Sequence, residues 1–373
     1  MLQFDIEKFL ADLEYLVNID SGTGTAEGVG RVADHLAEKY ESMGLTVKRH
    51  VFDERYGPCL EVRNHPGEED IDILMIGHMD TVFPPGTAAA RPFRVEGDEA
   101  FGPGVADMKS GDLMAAALAD NLLRERPGLR ICIAHNCDEE IGSVSADPWI
   151  CELGRKSRYC FDFEPGRPDG SFVKTRKGVQ KLVLKAKGVS SHAGVNPDAG
   201  ANAILELARW ICFFEDHRAE HPGARANFDV ISGGVVYNQI PAEACCEVDI
   251  RYDTKADLES LMDEFRKLQA RPFDQRVSVE IVPDGSTPPM ITNENSLKLM
   301  DLMREEGRAM GMDVKFIGTG GGSDASRVSS SGAATIDCCG PVGMNTHNEG
   351  EKMIVSTARE RLELLLRVCL RLE

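Results

Sequence analysis

A short, nearly continuous apolar run, Ile71-Asp72-Ile73-Leu74-Met75-Ile76, stops abruptly at Gly77-His78. Such a run is buried on both faces, which is how a strand inside a parallel sheet reads. Arg130-Ile131-Cys132-Ile133-Ala134-His135 and the stretch from Tyr159 to Phe163 repeat the pattern. Helical stripes alternate with them: Phe9, Leu10, Leu13, Leu16 and Val17; then Val29, Val32, Leu36 and Tyr40, closed by Gly44 at a C-cap; then Lys109 to Leu123, rich in Ala and Leu. The alternation predicts an α/β domain with a mainly parallel sheet, whose ligand sites lie at the carboxyl ends of strands. His78, Asp80, Glu139, Glu140 and Glu164 all fall at such ends.

The pattern changes after Pro165-Gly166-Arg167-Pro168-Asp169-Gly170, a turn-rich hinge. Strand, helix, strand, strand, helix, strand follow as far as Ile281, and Pro283 to Pro289 reads as a return hinge. An α+β sandwich of ferredoxin-like order is expected at 169–283, inserted into a first domain made of 1–168 and 284–373. A chain of 373 residues is long for one core, which agrees with two domains.

Composition removes several function classes. A hydrophobic fraction of 42% and a charged fraction of 28% describe an ordinary globular chain. No apolar run nears the ~20 residues of a membrane span. A net charge of −19 lacks the basic footprint that nucleic acid requires. The first twenty residues mix Asp5, Glu7, Lys8, Asp12 and Glu14 among Leu and Phe, an amphipathic helix rather than a signal peptide, so a cytoplasmic setting is expected. The 11 cysteines are odd in number and contain no Cys-x-x-Cys, so buried free thiols are expected.

The polar bursts after the apolar runs carry the chemistry. Gly77-His78-Met79-Asp80-Thr81 offers an imidazole, with Asp80 placed to hold the ring nitrogen that is not a ligand. Asp107 follows the tight turn Gly102-Pro103-Gly104 and has one oxygen for each of two cations; a turn or N-cap role is the plain alternative. In Asp138-Glu139-Glu140, adjacent side chains diverge, so one can bind metal while the other faces substrate and water. Glu164 ends a strand, with Asp162 as its rival two residues back. Imidazole and carboxylates converging from several loops are the raw material of a two-metal hydrolase. Gly320-Gly321-Gly322-Ser323-Asp324 lacks the P-loop lysine and the dinucleotide fingerprint, and reads as a backbone-lined substrate loop.

Together with Phe163-Glu164-Pro165 and Ser191-His192-Ala193-Gly194, these motifs occur in the order seen in the co-catalytic zinc peptidases, and the chain resembles that family along nearly its whole length. The family includes glutamate carboxypeptidase, acetylornithine deacetylase, succinyl-diaminopimelate desuccinylase and aminoacylase. The resemblance implies two zinc ions per chain, with cobalt or manganese as substitutes. It makes Asp107 the bridge, His78 and Glu164 ligands of one ion, and Glu140 and His347 ligands of the other. Glu139 becomes the general base and Asp80 the residue that orients His78, and the Asp107-Met108 bond is implied to be cis. The inserted unit is implied to be a lid and homodimerisation domain, from which His192 reaches a partner subunit's site and helps hold the oxyanion.

Asn238, Arg251 and Gly321 match substrate-contacting positions, with Arg251 assigned to a substrate carboxylate because a guanidinium fork binds one bidentately; a surface ion pair is the plain alternative for Arg251. The Phe-Glu-Pro form at Glu164 is similar to the glutamate carboxypeptidase branch. One departure stands against glutamate specificity: Asp284 to Pro289 holds no basic group, leaving Lys174, Arg176 and Lys177 as substitutes. The expected activity is hydrolysis of the amide bond in small peptides or N-acyl amino acids with a free carboxylate; the alternative is a biosynthetic N-acyl amino acid deacylase.

Overall fold

A computed structural model describes residues 2–372 and divides the chain into two compact units. The first comprises Met1–Thr175, Met290–Thr319 and Ser323–Glu373; the second comprises Arg176–Pro289 with Gly320–Gly322.

In the first unit a six-stranded sheet runs in the order Thr46–His50, Cys59–Arg63, Ile131–Asn136, Ile71–His78, Ser157–Asp162, Ala334–Ile336. The last four strands are mutually parallel, and the first two form an antiparallel extension at one edge. Ile71–His78 lies at the middle of this sheet, and Ile73, Leu74 and Met75 are wholly buried, as its apolar run demands. The predicted stripes face the core: Leu13, Leu16 and Val17 from Ile6–Val17, and Val29, Val32, Leu36 and Tyr40 from Ala26–Ser42, have no exposed surface. Gly44, at φ 82°, ends the second helix. Its amide donates to the Glu41 carbonyl and that of Leu45 to Tyr40, the paired bonds of a Schellman motif.

The second unit follows the chain path strand, helix, strand, strand, helix, strand. Its antiparallel sheet is ordered Ala224–Gly233, Glu243–Tyr252, Gly178–Lys187, Ser278–Thr287. Helices Ala203–Asp216 and Lys255–Ala270 bury Leu207, Trp210, Leu261 and Phe265 in a core of their own. The stretch read as a return hinge differs from expectation: the strand Ser278–Thr287 continues through Pro283. Pro283 sits on an edge strand, where a missing N–H is tolerated, and the register shifts between Pro283 and Ser286 as a bulge absorbs it. The strand Phe172–Arg176 pairs with Phe316–Thr319 rather than with this sheet.

All 11 cysteines are free; most are buried, but Cys212 is exposed and Cys151 and Cys245 are half-buried. Among the described residues no helix is long and apolar enough to cross a membrane.

The first two helices are also joined by charge. Asp12 lies 3.6 Å from His35 and 2.6 Å from Lys39, and these neighbours lower its carboxyl from 3.8 to about 2 against the opposing effect of burial. A depressed acid stabilises the fold above its unfolded value and loses that contribution as pH falls toward its folded one. Asp12→Asn should therefore cost about 1–2 kcal/mol at pH 7, discounted because the pair is partly exposed. Urea unfolding at pH 7, 5 and 3 should show the gap between variant and parent narrowing at the lowest pH; a gap that widened in acid would contradict the assignment.

Candidate metal centre

Three adjacent parallel strands end at one edge of the first sheet, and each delivers a ligand there. His78 is the last residue of Ile71–His78, Glu139 and Glu140 open the short turn after Ile131–Asn136, and Glu164 follows Ser157–Asp162. Asp107 arrives on the irregular segment Val105–Lys109, where its peptide bond to Met108 is cis. His347 comes from the loop after Gly343–Met344, with φ 60°.

The structure groups these side chains by distance. His78 Nε2 lies 3.3 Å from Asp107 Oδ1 and 3.5 Å from Glu164 Oε1. His347 Nε2 lies 3.3 Å from Asp107 Oδ2 and 3.2 Å from Glu140 Oε2. Asp107 thus shows one oxygen to each imidazole. Glu139 belongs to the same cluster, its carboxylate within 4.8 Å of ligand atoms of His78 and Glu164. Glu164 stands 3.5 Å from His78 Nε2, while its rival Asp162 accepts the Ala325 amide on Oδ2 at 3.0 Å.

Two observations fit a coordination site better than a hydrogen-bonded cluster. His78 Nδ1 stands 3.0 Å from the Asp80 carbonyl oxygen, an acceptor for the proton on that nitrogen, which turns Nε2 toward Asp107 and Glu164; Nε2 and Glu140 Oε1 are buried without a hydrogen-bond partner. Ligands set about 2.0–2.1 Å from a tetrahedral cation stand roughly 3.3–3.4 Å apart, and the observed separations cluster around that value. Charge agrees. Burial and the neighbouring Asp107 push Glu164 up to about 7. Burial first, then Glu164, Asp324 and Glu140, push Glu139 well above the usual carboxylate range. Asp107 and Glu140 raise His347 to about 11. The cluster has more negative charge than its two imidazoles can balance, and divalent cations would supply the rest.

Asp80 does more than orient His78. Its Oδ1 is 3.3 Å from the ring, but its two oxygens also accept the amides of Glu139 and Glu140 at 3.1 and 3.2 Å, and Oδ2 accepts the Thr23 hydroxyl at 2.7 Å. One carboxylate therefore ties the histidine strand to the Glu139–Ile141 turn. A second brace, missed in the sequence, holds the same turn from behind. Asn136 Nδ2 donates to Ser143 Oγ at 3.0 Å and to Asp324 Oδ2 at 2.7 Å, while Ser143 donates to Asp324 and Arg327 to the Gly142 carbonyl. Asp324, after the glycine-rich loop, is thus buried behind the turn, a placement that rests on contacts across 188 residues and leaves no signal in the sequence.

In the second unit His192 is exposed, and its Nδ1 accepts the amides of Gly194 and Val195 at 3.1 and 3.2 Å. A neutral ring then carries its proton on Nε2, turned outward as a donor. Asn238 is adjacent, its carbonyl accepting the Ala193 amide. Arg251 is not a free fork: its Nε and Nη2 engage Asp249 at 2.6 and 3.0 Å, and Nη1 donates to the Gly320 carbonyl at 3.1 Å. Gly321 is exposed, and its carbonyl accepts from Arg176 Nη1 at 3.1 Å. Arg176 and Lys177, expected as substitute basic groups, are engaged with that loop and with Asp253 respectively.

Asp80→Ala should leave the sheet intact and release the turn it anchors. A charged hydrogen bond is worth about 1.5–3 kcal/mol, so amide exchange at Glu139 and Glu140 should accelerate about tenfold or more in hydrogen–deuterium exchange. Unchanged exchange at both amides would remove Asp80 from that role.

The model of the peptidase family M20/M25/M40 matches residues 74–371. The chain is 31% identical over 372 residues to carboxypeptidase G2 of Pseudomonas sp. (strain RS-16), covering 95% of this chain and 87% of the relative. It is 29% identical over 358 residues to a succinyl-diaminopimelate desuccinylase of Methylorubrum populi, covering 88% and 89%. Among solved structures, aminopeptidase PepT of Bacillus cereus superposes with a TM-score of 0.78 at 19% identity, covering 98% of each chain. An M20 family metallo-carboxypeptidase of Sulfolobus solfataricus gives 0.73 at 17% identity, covering 99% of each. The shared fold and the match across most of its length make this chain a member of the M20/M25/M40 family of peptidases.

Proposed function

We propose that the protein is a di-zinc hydrolase that cleaves the amide bond of small peptides or N-acyl amino acids bearing a free carboxylate, in the manner of carboxypeptidase G2. The observation that carries this reading is Asp107, with its two oxygens each 3.3 Å from a different imidazole. His78, Asp107 and Glu164 would hold one ion, and Asp107, Glu140 and His347 the other; cobalt or manganese would fit the same donors. Bound there, divalent cations would polarise the scissile carbonyl and lower the pKa of the attacking water toward neutrality.

This chain's residues do the rest. Glu139 stands beside the ligands without being needed as one, so its carboxylate accepts the proton of the attacking water and returns it to the leaving nitrogen. The hold of Asp80 on the Glu139 amide fixes where that carboxylate stands. His192 offers an Nε2–H donor for the oxyanion. Arg251, held by Asp249 along one edge and donating from Nη1 to the Gly320 carbonyl, keeps one hydrogen on each of Nη1 and Nη2 for a substrate carboxylate, with Asn238 and Gly321 as further contacts. We read the Arg176–Pro289 unit as a ferredoxin-like lid and dimerisation domain, through which His192 would serve a partner copy's site. A monomer with full turnover would remove that role. Free cysteines agree with a reducing, cytoplasmic setting. The similarity to a desuccinylase over 88% of the chain supports a second reading, a biosynthetic N-acyl amino acid deacylase.

The first experiment is mass-spectrometric detection of amino acids released from pooled dipeptides, N-acyl amino acids and folyl-glutamate, with and without chelator. Released glutamate would favour the first reading and diaminopimelate the second; no chelator-sensitive release would count against both. Glu139→Gln should bind the same amount of zinc and lose about 10²–10⁴-fold in kcat. Near-normal turnover in that variant would overturn the choice of base.

A further inference from the structure

Glu351 ends the polar loop that carries His347, yet it is 1% exposed. Its carboxylate makes no ion pair among the described residues. It accepts three backbone amides instead: Gly104 on Oε2 at 3.1 Å, and Ala106 and Asp107 on Oε1 at 2.9 and 3.0 Å. These amides belong to the turn that carries Asp107, where Gly104 sits at φ 72° and Asp107 and Met108 leave helical geometry. A backbone bent this way turns successive N–H groups toward one point, a nest that suits an anion. Without an acceptor, three buried donors would be left unpaired, at about 1–3 kcal/mol each.

The position of Glu351 along the chain gives it a second hold. Four residues before it stands His347, on an exposed loop tip. Glu351 itself closes the foot of that loop: its own amide donates to the Asn348 carbonyl at 3.1 Å, and the next residue enters the strand Lys352–Ile354, which pairs with Glu99–Phe101. One buried side chain thus fixes the Asp107 segment to the base of the His347 segment. His78, Glu140 and Glu164 reach the cluster from the sheet edge and have no such dependence.

We propose that Glu351 is a positioning residue for the metal centre, acting mainly on the ion held by Asp107, Glu140 and His347. This rests on the two-ion reading given above. Two of that ion's three ligands ride on segments that Glu351 secures, against one of three for the ion at His78, Asp107 and Glu164. Glu351→Gln keeps the volume but turns an amide nitrogen, which cannot accept, toward at least one of the three N–H donors. Residues that orient ligands from outside typically cost about 10–100-fold in metal affinity when changed. The asymmetry between the two ions is what separates positioning from general support of the fold.

The test is calorimetric titration of metal-free full-length protein with zinc chloride, in wild type and Glu351→Gln, with Glu140→Gln and Glu164→Gln measured alongside to label the two binding constants. The expected result is that Glu351→Gln weakens the constant labelled by Glu140→Gln by about 10–100-fold and changes the other by less than about threefold. Two ions bound to wild type with both constants unaltered in the variant, or with both weakened alike, overturns this proposal and leaves the two-ion reading standing. Fewer than two ions in wild type overturns that reading and the proposal with it. Should Glu351→Gln not fold, Glu351→Asp, one methylene shorter, takes its place under the same criteria. Failure of both to fold would assign Glu351 to folding alone and overturn the proposal.

Discussion

Five carboxylates, those of Asp80, Asp107, Glu139, Glu140 and Glu164, and two imidazoles share one edge of a parallel sheet, and the negative charge gathered there governs how everything around it is built. A protein could balance such charge with lysine or arginine, but a guanidinium among these carboxylates would take the place a divalent cation needs. Apart from Asp324, which has Arg327 at 3.4 Å, the structure answers the supporting carboxylates with backbone amides. Asp80 accepts those of Glu139 and Glu140, Glu351 those of Gly104, Ala106 and Asp107, and Asp162 that of Ala325. Amides carry partial positive charge without mobility or a net charge. They fix a carboxylate in place and leave the cluster's own deficit for divalent ions.

Lys109 illustrates the same economy. It is two residues from Asp107 and fully buried, yet its Nζ donates to the Ile19 carbonyl at 2.8 Å rather than pairing with a ligand. Its burial pulls it down to about 8, with Glu351, Asp20 and Asp112 opposing that. Its effect on the cluster is a field at a distance, not a competing bond.

Much of this was legible in the sequence, for definable reasons. Strands buried on both faces leave apolar runs, and the residues that end them must sit at one edge, so His78, Glu139, Glu140 and Glu164 could be placed together before any coordinates. The Leu and Val stripes of the first two helices and the Gly44 stop follow local rules that need no tertiary context. What stayed hidden depends on partners far along the chain. Glu351 meets amides some 245 residues away, Asn136 meets Asp324 across 188, and neither spacing leaves a periodic trace. Pro283 looked like a hinge because proline ends central strands, and only the strand order shows that it lies at an edge. For Arg251 the sequence offers both a fork for a substrate carboxylate and a surface ion pair, and Asp249, two residues before on the same face of its strand, takes one side of it.

The loop that joins His347 to Glu351 has a further consequence for how such a chain can drift over evolutionary time. Asn348, Glu349 and Gly350 are exposed, so their identities are weakly constrained by packing. Their number is another matter. With Glu351 locked into a buried cradle and His347 aimed at Asp107 and Glu140, the three intervening residues act as a spacer of fixed length. Insertions or deletions that most surface loops absorb would here carry the imidazole out of register, so the geometry constrains the length of that segment more tightly than it constrains its exposed side chains.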